Sequence, residues 1–177
     1  VLPIPLAESK TELDDIAQSH GWDLSGIEVE ELVPRDDILE PDAHYTMFHP
    51  SEVELGESLK QIFERSRDLR PSRIVVDSLS EIRLLAGDAL RYRRQLMVLK
   101  QFFMKQEATV LLLDDRTGPE SSLQLHSLAH GVLSLEQNVP EYGSERRRLR
   151  IRKMRGRAYR GGYHDFRIIK GGVDVYP

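Results

Sequence analysis

Carboxylate side chains follow three short apolar segments of this chain, at the point where each segment ends. Glu8 follows the apolar start of the chain, and Asp77 follows a β-branched run. The Asp114-Asp115 pair follows a run of valine and leucine. Because neighbouring parallel strands end at the same edge of a sheet, we expect these carboxylates to converge there. Such oxygen ligands suit Mg²⁺ and the activation of water for phosphoryl transfer. The alternative for each is a helix cap, with Asp77 or Ser78 in that role after the central strand.

A second group of candidate residues lies in the basic segment 146–157, where charged and apolar residues alternate. Alternation places successive side chains of a strand on opposite faces. Lys153 and Arg155 then share one face before a glycine, an arrangement that suits a phosphate clamp. Two other interpretations stay open. One is a solvated edge strand that charge protects from pairing, and the other is a nucleic-acid groove with Tyr159 and Tyr163 as stacking groups.

Metal chemistry based on histidine or cysteine has little support. His126 and His130 are four residues apart, which puts them on one helix face, but no glutamate of a His-Glu-x-x-His motif adjoins them. The absence of cysteine excludes disulfides, thiolate catalysis and Cys-based zinc sites. No Gly-x-Ser-x-Gly motif is present, so a serine hydrolase is not supported.

The composition is that of a folded domain. Of 177 residues, 40% are hydrophobic and 31% are charged, so one domain with a sizeable core is expected over 1–177. No apolar run reaches the roughly 20 residues of a membrane span, and with no signal peptide evident a cytoplasmic protein is expected. Residues 144–177 hold eleven Lys and Arg against three Asp and Glu, so this segment carries +8 and the rest of the chain −12. The two parts should attract partners of opposite charge.

The elements that position these residues follow from the hydrophobic periodicity. The predicted strands are 1–6, 27–33, 73–77, 109–113, 131–136 and 147–154, with a hairpin at 166–169 and 173–176. The predicted helices are 9–19, 51–69, 81–106 with a break suggested at Gly87-Asp88, and 123–130, and an acidic loop covers 34–50. Alternation of strand and helix up to residue 136 predicts an α/β fold with a mostly parallel sheet flanked by helices. The basic segment 144–177 predicts an antiparallel β extension.

Several short motifs together resemble the KaiC family of RecA-like ATPases, over nearly the whole chain. The motifs are Glu8 after the first strand, Ser19-His20-Gly21-Trp22, Val76-Asp77-Ser78-Leu79-Ser80-Glu81, Arg147-Arg148-Leu149, Lys153-Met154-Arg155-Gly156 and Gly171-Gly172-Val173. Their combination is specific, whereas an aspartate after an apolar strand would fit any P-loop enzyme. The resemblance implies a RecA-like P-loop NTPase core that binds ATP and Mg²⁺ at the subunit interfaces of a homo-oligomeric ring, usually a hexamer.

The resemblance also implies roles for individual residues. By family position, Glu8 would be the catalytic glutamate that orients the attacking water, and Asp77 the Walker B residue that holds Mg²⁺ through a water molecule. Lys153 and Arg155 would reach the nucleotide of the neighbouring subunit. Further cofactor-binding candidates are Ala158 and Tyr159 in the loop that contacts this nucleotide, and Asp114 and Asp115 from the strand-end argument.

Three features depart from the family pattern. The family's Gly-x-x-x-x-Gly-Lys-[Ser/Thr] loop, or Walker A segment, and the strand before it are absent from residues 1–177, so the chain is expected to be the part of a longer protein that follows this loop. The paired glutamates of the clock proteins correspond here to Glu8-Ser9. Their tandem phosphoacceptors fall near His126-Ser127, which leaves Ser127 as the autophosphorylation candidate.

Two functions of different classes follow. The first is a KaiC-like ATPase that hydrolyses ATP at ring interfaces, with serine/threonine autokinase activity as an addition and regulatory proteins as partners. The second is a RecA-like regulatory or nucleic-acid-binding module without ATPase activity of its own, which would use the basic C-terminal segment. A DNA recombinase ranks third, because no aromatic-rich groove for a strand is evident. Steep weakening by salt would separate nucleic-acid binding from a role at subunit interfaces.

Overall fold

Strands and helices of the chain form two units in the structure, a computed structural model that describes residues 1–6, 9–30, 50–115 and 121–177. The first unit comprises Val1–Asp14 and Leu24–Pro119, and the second comprises Asp15–Asp23 and Glu120–Pro177. The predicted mixed α/β fold is confirmed, whereas a single domain over 1–177 stays a prediction. Within the described residues, every helix is too short or too polar to cross a membrane.

The first unit is built on a parallel sheet of three strands in the order β1-β2-β3. Strand β1 is Leu2–Pro5, β2 is Arg73–Asp77 and β3 is Thr109–Leu112, and the helices are α2 (Pro50–Leu69), α3 (Leu79–Ala86) and α4 (Ala89–Phe103). Helix α1 (Lys10–His20) begins in this unit, and its residues from Asp15 onward belong to the second unit. Pro5 lies opposite Asp77, and Val76 lies opposite Leu112. The three strands therefore end at nearly the same level, at one edge of the sheet.

The core of this unit holds β2 in place. Strand β2 pairs on both sides, and its Ile74 and Val76 side chains are 0% exposed. The helices bury Leu55, Leu59 and Ile62 of α2, Leu79, Ile82 and Ala86 of α3, and Tyr92, Leu96, Leu99 and Phe103 of α4. Burial of each large apolar side chain contributes about 1.5–3 kcal/mol. The end of β2, where Asp77 lies, thus adjoins the buried core of the unit.

The helix ends follow the capping signals in the sequence. The predicted break in the long helix is confirmed at Gly87-Asp88, where Gly87 has a φ of 72° and ends α3. The Asp88 side chain accepts hydrogen bonds from two N–H groups in the first turn of α4, both at 2.9 Å. At the start of α1, the Ser9 N–H donates to Glu12 at 2.8 Å and the Glu12 N–H donates to Ser9 Oγ at 3.3 Å, which is a capping box.

The predicted strand 27–33 falls only partly within the described residues, and that part is not a regular strand. The N–H groups of Glu28 and Glu30 donate to two carbonyl oxygens of the N-terminal segment at 3.0 and 3.1 Å, so the backbone runs along β1 without forming a ladder. Arg65 of α2 lies 2.7 Å from the Glu30 carboxylate, so the acidic alternation also provides an ion pair. The predicted acidic loop 34–50 lies outside the described residues, apart from its last residue, which begins α2.

The second unit is built on an antiparallel sheet of four strands in the order β4-β5-β6-β7. Its strands are β4 (Gly131–Asn138), β5 (Arg146–Met154), β6 (His164–Ile169) and β7 (Gly172–Tyr176), and α5 (Ser121–Leu128) precedes them. The predicted hairpin of β6 and β7 is confirmed. Gly171 in its turn has a φ of 86°, a conformation that a side chain would strain.

Two predictions about this second sheet are wrong. The strand at 131–136 is expected in the parallel sheet, but it extends to Asn138 and pairs antiparallel with β5. The interpretation of the basic strand as a solvated edge also fails, because β5 pairs with β4 on one side and with β6 on the other. Charge on an interior strand cannot serve to protect an edge from pairing. The arginines of β5 therefore need another explanation.

Candidate functional site

Asp77 is the last residue of β2 and lies, half-buried, at the carboxyl edge of the parallel sheet. Burial raises the pKa of the Asp77 carboxyl, and the negative charge of Asp115 raises this pKa further. The carboxylate that ends β2 and one that follows β3 are thus close enough to interact. A cation bound between two such groups would offset the unfavourable charge that they share.

Asp115 is held against the turn that follows β2 by two serine hydroxyls. Ser78 Oγ and Ser80 Oγ donate to Asp115 Oδ2 at 3.3 and 3.2 Å. The backbone adds a further link, because the Leu79 N–H donates to the Leu113 carbonyl at 2.8 Å. Ser78 occupies the N-cap position of α3, but its side chain makes no capping hydrogen bond. Its hydroxyl instead positions a carboxylate from the neighbouring strand.

Asp114 contacts a different partner. Arg83 of α3 donates to Asp114 Oδ1 in an ion pair whose two side chains are only 24% and 13% exposed. The Arg83 guanidinium also lies 5.3 Å from the ring centroid of Tyr92, a buried residue of α4. The two aspartates therefore have different partners. Asp114 is bound to the helices, whereas Asp115 is bound to the turn that carries Asp77.

The prediction from sequence does not include Arg83 or Tyr92. An indication is nevertheless present, because Arg83 is the one basic residue in α3 and lies one turn after the fully buried Leu79. A charged side chain on the buried side of a helix requires a partner of opposite charge. This signal indicates that a partner exists but does not identify it.

Arg83→Leu is expected to destabilise the protein by about 2 kcal/mol, because it leaves the mostly buried Asp114 carboxylate without its cation. Asp114→Asn in the same background should restore part of this loss, since the unpaired charge is removed. Urea unfolding of the two single variants and the double variant measures the coupling. Arg93→Leu, at an exposed position of α4, is the control. Equal losses for the Arg83 and Arg93 variants would mean that the ion pair contributes nothing.

The donor atoms near Asp77 fit a hard divalent cation. The carboxylates of Asp77 and Asp115 and the nearby serine hydroxyls are oxygen ligands, which Mg²⁺ prefers. In the described ranges, no group of three His, Cys, Asp or Glu side chains could hold a metal ion. Water and phosphate oxygens would therefore complete the coordination, as is usual for Mg²⁺. Glu8 lies outside the described residues, but the Leu6 N–H donates to the Asp77 carbonyl at 2.5 Å and so ties the end of β1 to this edge.

In the second unit, Lys153 and Arg155 lie at the end of β5 and bind the last turn of α5. Lys153 Nζ donates to the His126 carbonyl, and Arg155 Nη2 donates to the Ser127 carbonyl at 2.9 Å. Cations are favourable at a helix C-terminus because they compensate its unpaired carbonyl groups. The two residues thus share one side of the strand, and their contacts in this structure are with a helix of their own unit.

The other loop candidates are at the surface. Ala158 and Tyr159 lie between β5 and β6, and both are exposed. The Tyr159 hydroxyl is 3.5 Å from the Arg152 carbonyl, which is a weak hydrogen bond at best. This loop therefore has polar and aromatic groups that another molecule can reach.

Comparisons with known proteins agree with the fold. A family model described as ATPase: KaiC matches residues 1–177. The chain is 23% identical over 178 residues to the circadian clock oscillator protein KaiC of Parathermosynechococcus lividus, and 25% identical over 182 residues to that of Synechococcus elongatus. These alignments cover 98% of this chain but only 32% and 34% of the relatives. The chain thus spans about a third of the length of the curated relatives it matches.

A solved structure shares the architecture. The crystal structure of a KaiC-like protein from Pyrococcus horikoshii OT3 matches with a TM-score of 0.75 and covers 99% of this chain and 76% of that chain. At 22% identity this likeness concerns the RecA-like fold alone. The family model, however, extends over all 177 residues of the chain. On that evidence, this chain belongs to the KaiC family of ATPase domains.

Proposed function

We propose that this chain supplies the Mg²⁺-binding and water-activating part of a KaiC-type ATPase, which binds and hydrolyses ATP at the subunit interfaces of a homo-oligomeric ring. The observation that carries the proposal is the pair of Asp77 and Asp115 at the carboxyl edge of a parallel sheet, where Ser78 and Ser80 fix one of the two carboxylates. Phosphate ligands bind at such edges in open α/β sheets.

Asp77, Asp115 and Glu8 each have a separate task in the proposal. Asp77 would hold Mg²⁺ through a water molecule, and Asp115 would add a second negative charge beside it. Glu8 orients the attacking water and accepts its proton. Mg²⁺, when bound, neutralises charge on the phosphoryl group that is transferred. Because the serine hydroxyls hold Asp115 before nucleotide arrives, little reorganisation is needed in the transition state.

The loop that cradles the phosphates would come from residues outside 1–177, since no Gly-x-x-x-x-Gly-Lys-[Ser/Thr] sequence occurs in this chain. Strand β3 offers an edge for the strand before such a loop. Among the described residues β3 pairs with β2 alone, and its Leu111 and the following Leu113 are 48% and 40% exposed. An apolar strand edge is a template for a further strand. If the polypeptide that contains this chain lacks such a loop, hydrolysis by this subunit is excluded.

Lys153 and Arg155 are proposed to act on the nucleotide of the neighbouring subunit, with Ala158 and Tyr159 beside them. Arginine can fork two phosphate oxygens, whereas lysine provides a point charge. Ser127 is the proposed site of autophosphorylation, and its carbonyl accepts a hydrogen bond from Arg155. A phosphate on Ser127 would therefore have an arginine within reach.

Glu8→Gln in the full-length protein is expected to bind ATP as the parent does, yet to hydrolyse it at least about 10²-fold more slowly. The substitution removes only the group that orients and deprotonates water. Nucleotide retained through gel filtration and phosphate released per subunit are the two measurements. Asp14→Asn, at an exposed position of α1, is the control. If ATP binding is lost together with hydrolysis, Glu8 has a structural role instead.

A further inference from the structure

Strand β5 carries a second set of cations on the face that the proposed function does not use. Arg148, Arg150 and Arg152 share one face, because Arg148 and Arg152 contact Glu136, and Arg148 and Arg150 contact Tyr163. Lys153 instead contacts the last turn of α5. Tyr163 contacts two of these arginines. We refer to the three arginines and Tyr163 as the arginine face.

Tyr163 orders the guanidinium groups of this face. The Cζ atoms of Arg148 and Arg150 lie 4.5 and 5.5 Å from the centroid of the Tyr163 ring. The Tyr163 hydroxyl donates to Glu136 Oε1 at 3.2 Å, which fixes the ring over the sheet. Such cation–π contacts orient guanidinium groups while leaving their N–H donors available. Arg150 is exposed, and Tyr163 is 45% exposed.

The arginine face has an excess of positive charge. Glu136 lies 3.4 Å from Arg148 and 3.8 Å from Arg152. Arg152 Nε also donates to the buried Ser134 at 2.6 Å. In the part of the chain that the structure describes, Arg150 forms no ion pair with a carboxylate. Glu136 pairs with the other two arginines, and Asp165 is the cross-strand neighbour of Arg148, so two carboxylates lie among three guanidinium groups. Edge protection does not explain this charge, because β5 is an interior strand.

The loop after β5 continues this surface. Residues 155–163 read Arg-Gly-Arg-Ala-Tyr-Arg-Gly-Gly-Tyr, and all of them are exposed. The segment has no acidic side chain, and Gly156 and Gly162 have φ of 70° and 99°, which lets the backbone turn sharply between the arginines. Segments that combine arginine, glycine and aromatic residues bind single-stranded nucleic acids.

We propose that the arginine face, together with Arg157 and Arg160 of the loop that follows β5, binds single-stranded nucleic acid. Alternate residues of a strand are roughly 6.6 Å apart, so Arg148 and Arg150 present their guanidinium groups at a spacing that suits successive phosphates of an extended strand. Arginine can contact two phosphate oxygens at once, and exposed tyrosines can stack on bases of any sequence. An acidic protein surface would match the charge but would not use the aromatic rings. The proposal does not depend on ATP binding.

Fluorescence anisotropy of a labelled oligothymidylate, with the full-length protein in the absence of nucleotide, tests the proposal. Arg150→Gln is the first variant. The Arg150 side chain is exposed and contacts the Tyr163 ring, so its replacement should leave the fold intact. Removal of one phosphate contact should reduce the slope of log affinity against log salt by about 0.7, which weakens binding about fivefold at 0.1 M salt. Arg93→Gln, an exposed arginine of α4, should bind as the parent does.

Two further variants separate charge from stacking. The triple variant R148Q/R150Q/R152Q should lose about a hundredfold in affinity at 0.1 M salt and about 2 in salt slope. Tyr163→Leu should weaken binding without changing the slope, because it removes no charge. Circular dichroism checks the fold, and if the triple variant does not fold, the Arg150→Gln result decides.

Several outcomes would overturn the proposal. One is that the parent protein fails to bind the oligonucleotide at roughly 50 mM salt, where electrostatic contacts are strong. Another is that Arg150→Gln and Arg93→Gln bind equally well. A third is that polyglutamate displaces the oligonucleotide at equal charge concentration, which would assign the face to an acidic protein partner.

Discussion

In the full-length protein, Asp77→Asn is expected to lower Mg²⁺-dependent ATP hydrolysis by on the order of 10³-fold, because metal-based charge stabilisation is worth several kcal/mol. Asparagine keeps the shape of the side chain and removes the charge that faces the cation. The fold should persist, since Asp77 ends β2 and the buried residues of that strand are unchanged.

Phosphate release at saturating ATP and Mg²⁺ measures this effect. Asp88→Asn is a matched control, because it removes an equivalent charge from the same unit while asparagine still caps α4. If the Asp77 variant hydrolyses ATP at the parental rate, Asp77 does not hold the cation.

When Mg²⁺ is absent, the same substitution should increase the stability of the protein, although it lowers ATP hydrolysis. Burial and the charge of Asp115 raise the pKa of Asp77 in the folded state. A carboxyl group with a raised pKa contributes stability that is present below its unfolded-state pKa and is lost as pH rises through its folded-state pKa. At neutral pH in EDTA, Asp77→Asn should therefore unfold at a higher temperature than the parent. This difference should shrink as pH falls through the raised pKa.

Arg155→Ala is expected to lower turnover by about 10³- to 10⁵-fold, the range for an arginine supplied in trans to phosphoryl transfer. Its own subunit should still bind ATP, because the side chain is proposed to serve the neighbour. Arg155 is exposed and donates a hydrogen bond to the last turn of α5, so stability should change little. Arg157→Ala, two positions later in the same exposed loop, is the control.

A mixing experiment identifies the subunit on which Arg155 acts. Rings that contain both Arg155→Ala and Asp77→Asn subunits should regain activity at interfaces that pair an intact Asp77 with an intact Arg155. Native mass spectrometry establishes that the two proteins co-assemble. If co-assembled rings stay inactive, Arg155 either serves its own subunit or is a solvated surface cation.

Much of the fold follows from local patterns in the sequence. The β-branched run before Asp77, the helical periodicity of α2 and α4 and the interruption at Gly87-Asp88 each correspond to an element of the structure. The different partners of Asp114 and Asp115 could not be predicted in the same way. Strand alternation no longer applies beyond the end of β3, and the orientation there is set by Arg83, which lies 31 positions earlier in the chain.

Local sequence patterns also could not show which strands are neighbours in a sheet. Alternation along β5 indicates that its arginines lie on two faces, but it cannot show whether the strand is at an edge. That depends on pairing with β4 and β6, which is a matter of long-range contacts and loop closure. For the same reason the sequence predicts that Lys153 and Arg155 lie together but not that α5 binds both.

The hydrogen bonds from Lys153 and Arg155 to α5 have a thermodynamic consequence for a ring of subunits. A side chain that turns toward a phosphate of the adjacent subunit weakens its bond to the carbonyl of His126 or Ser127. The last turn of α5 and the neighbour's nucleotide would thus compete for the same cations. Linkage is reciprocal, so an α5 that frays easily would favour nucleotide binding by the adjacent subunit. A rigid α5 would oppose that binding. Hydrogen exchange at α5 amides in one subunit would then report the occupancy of another.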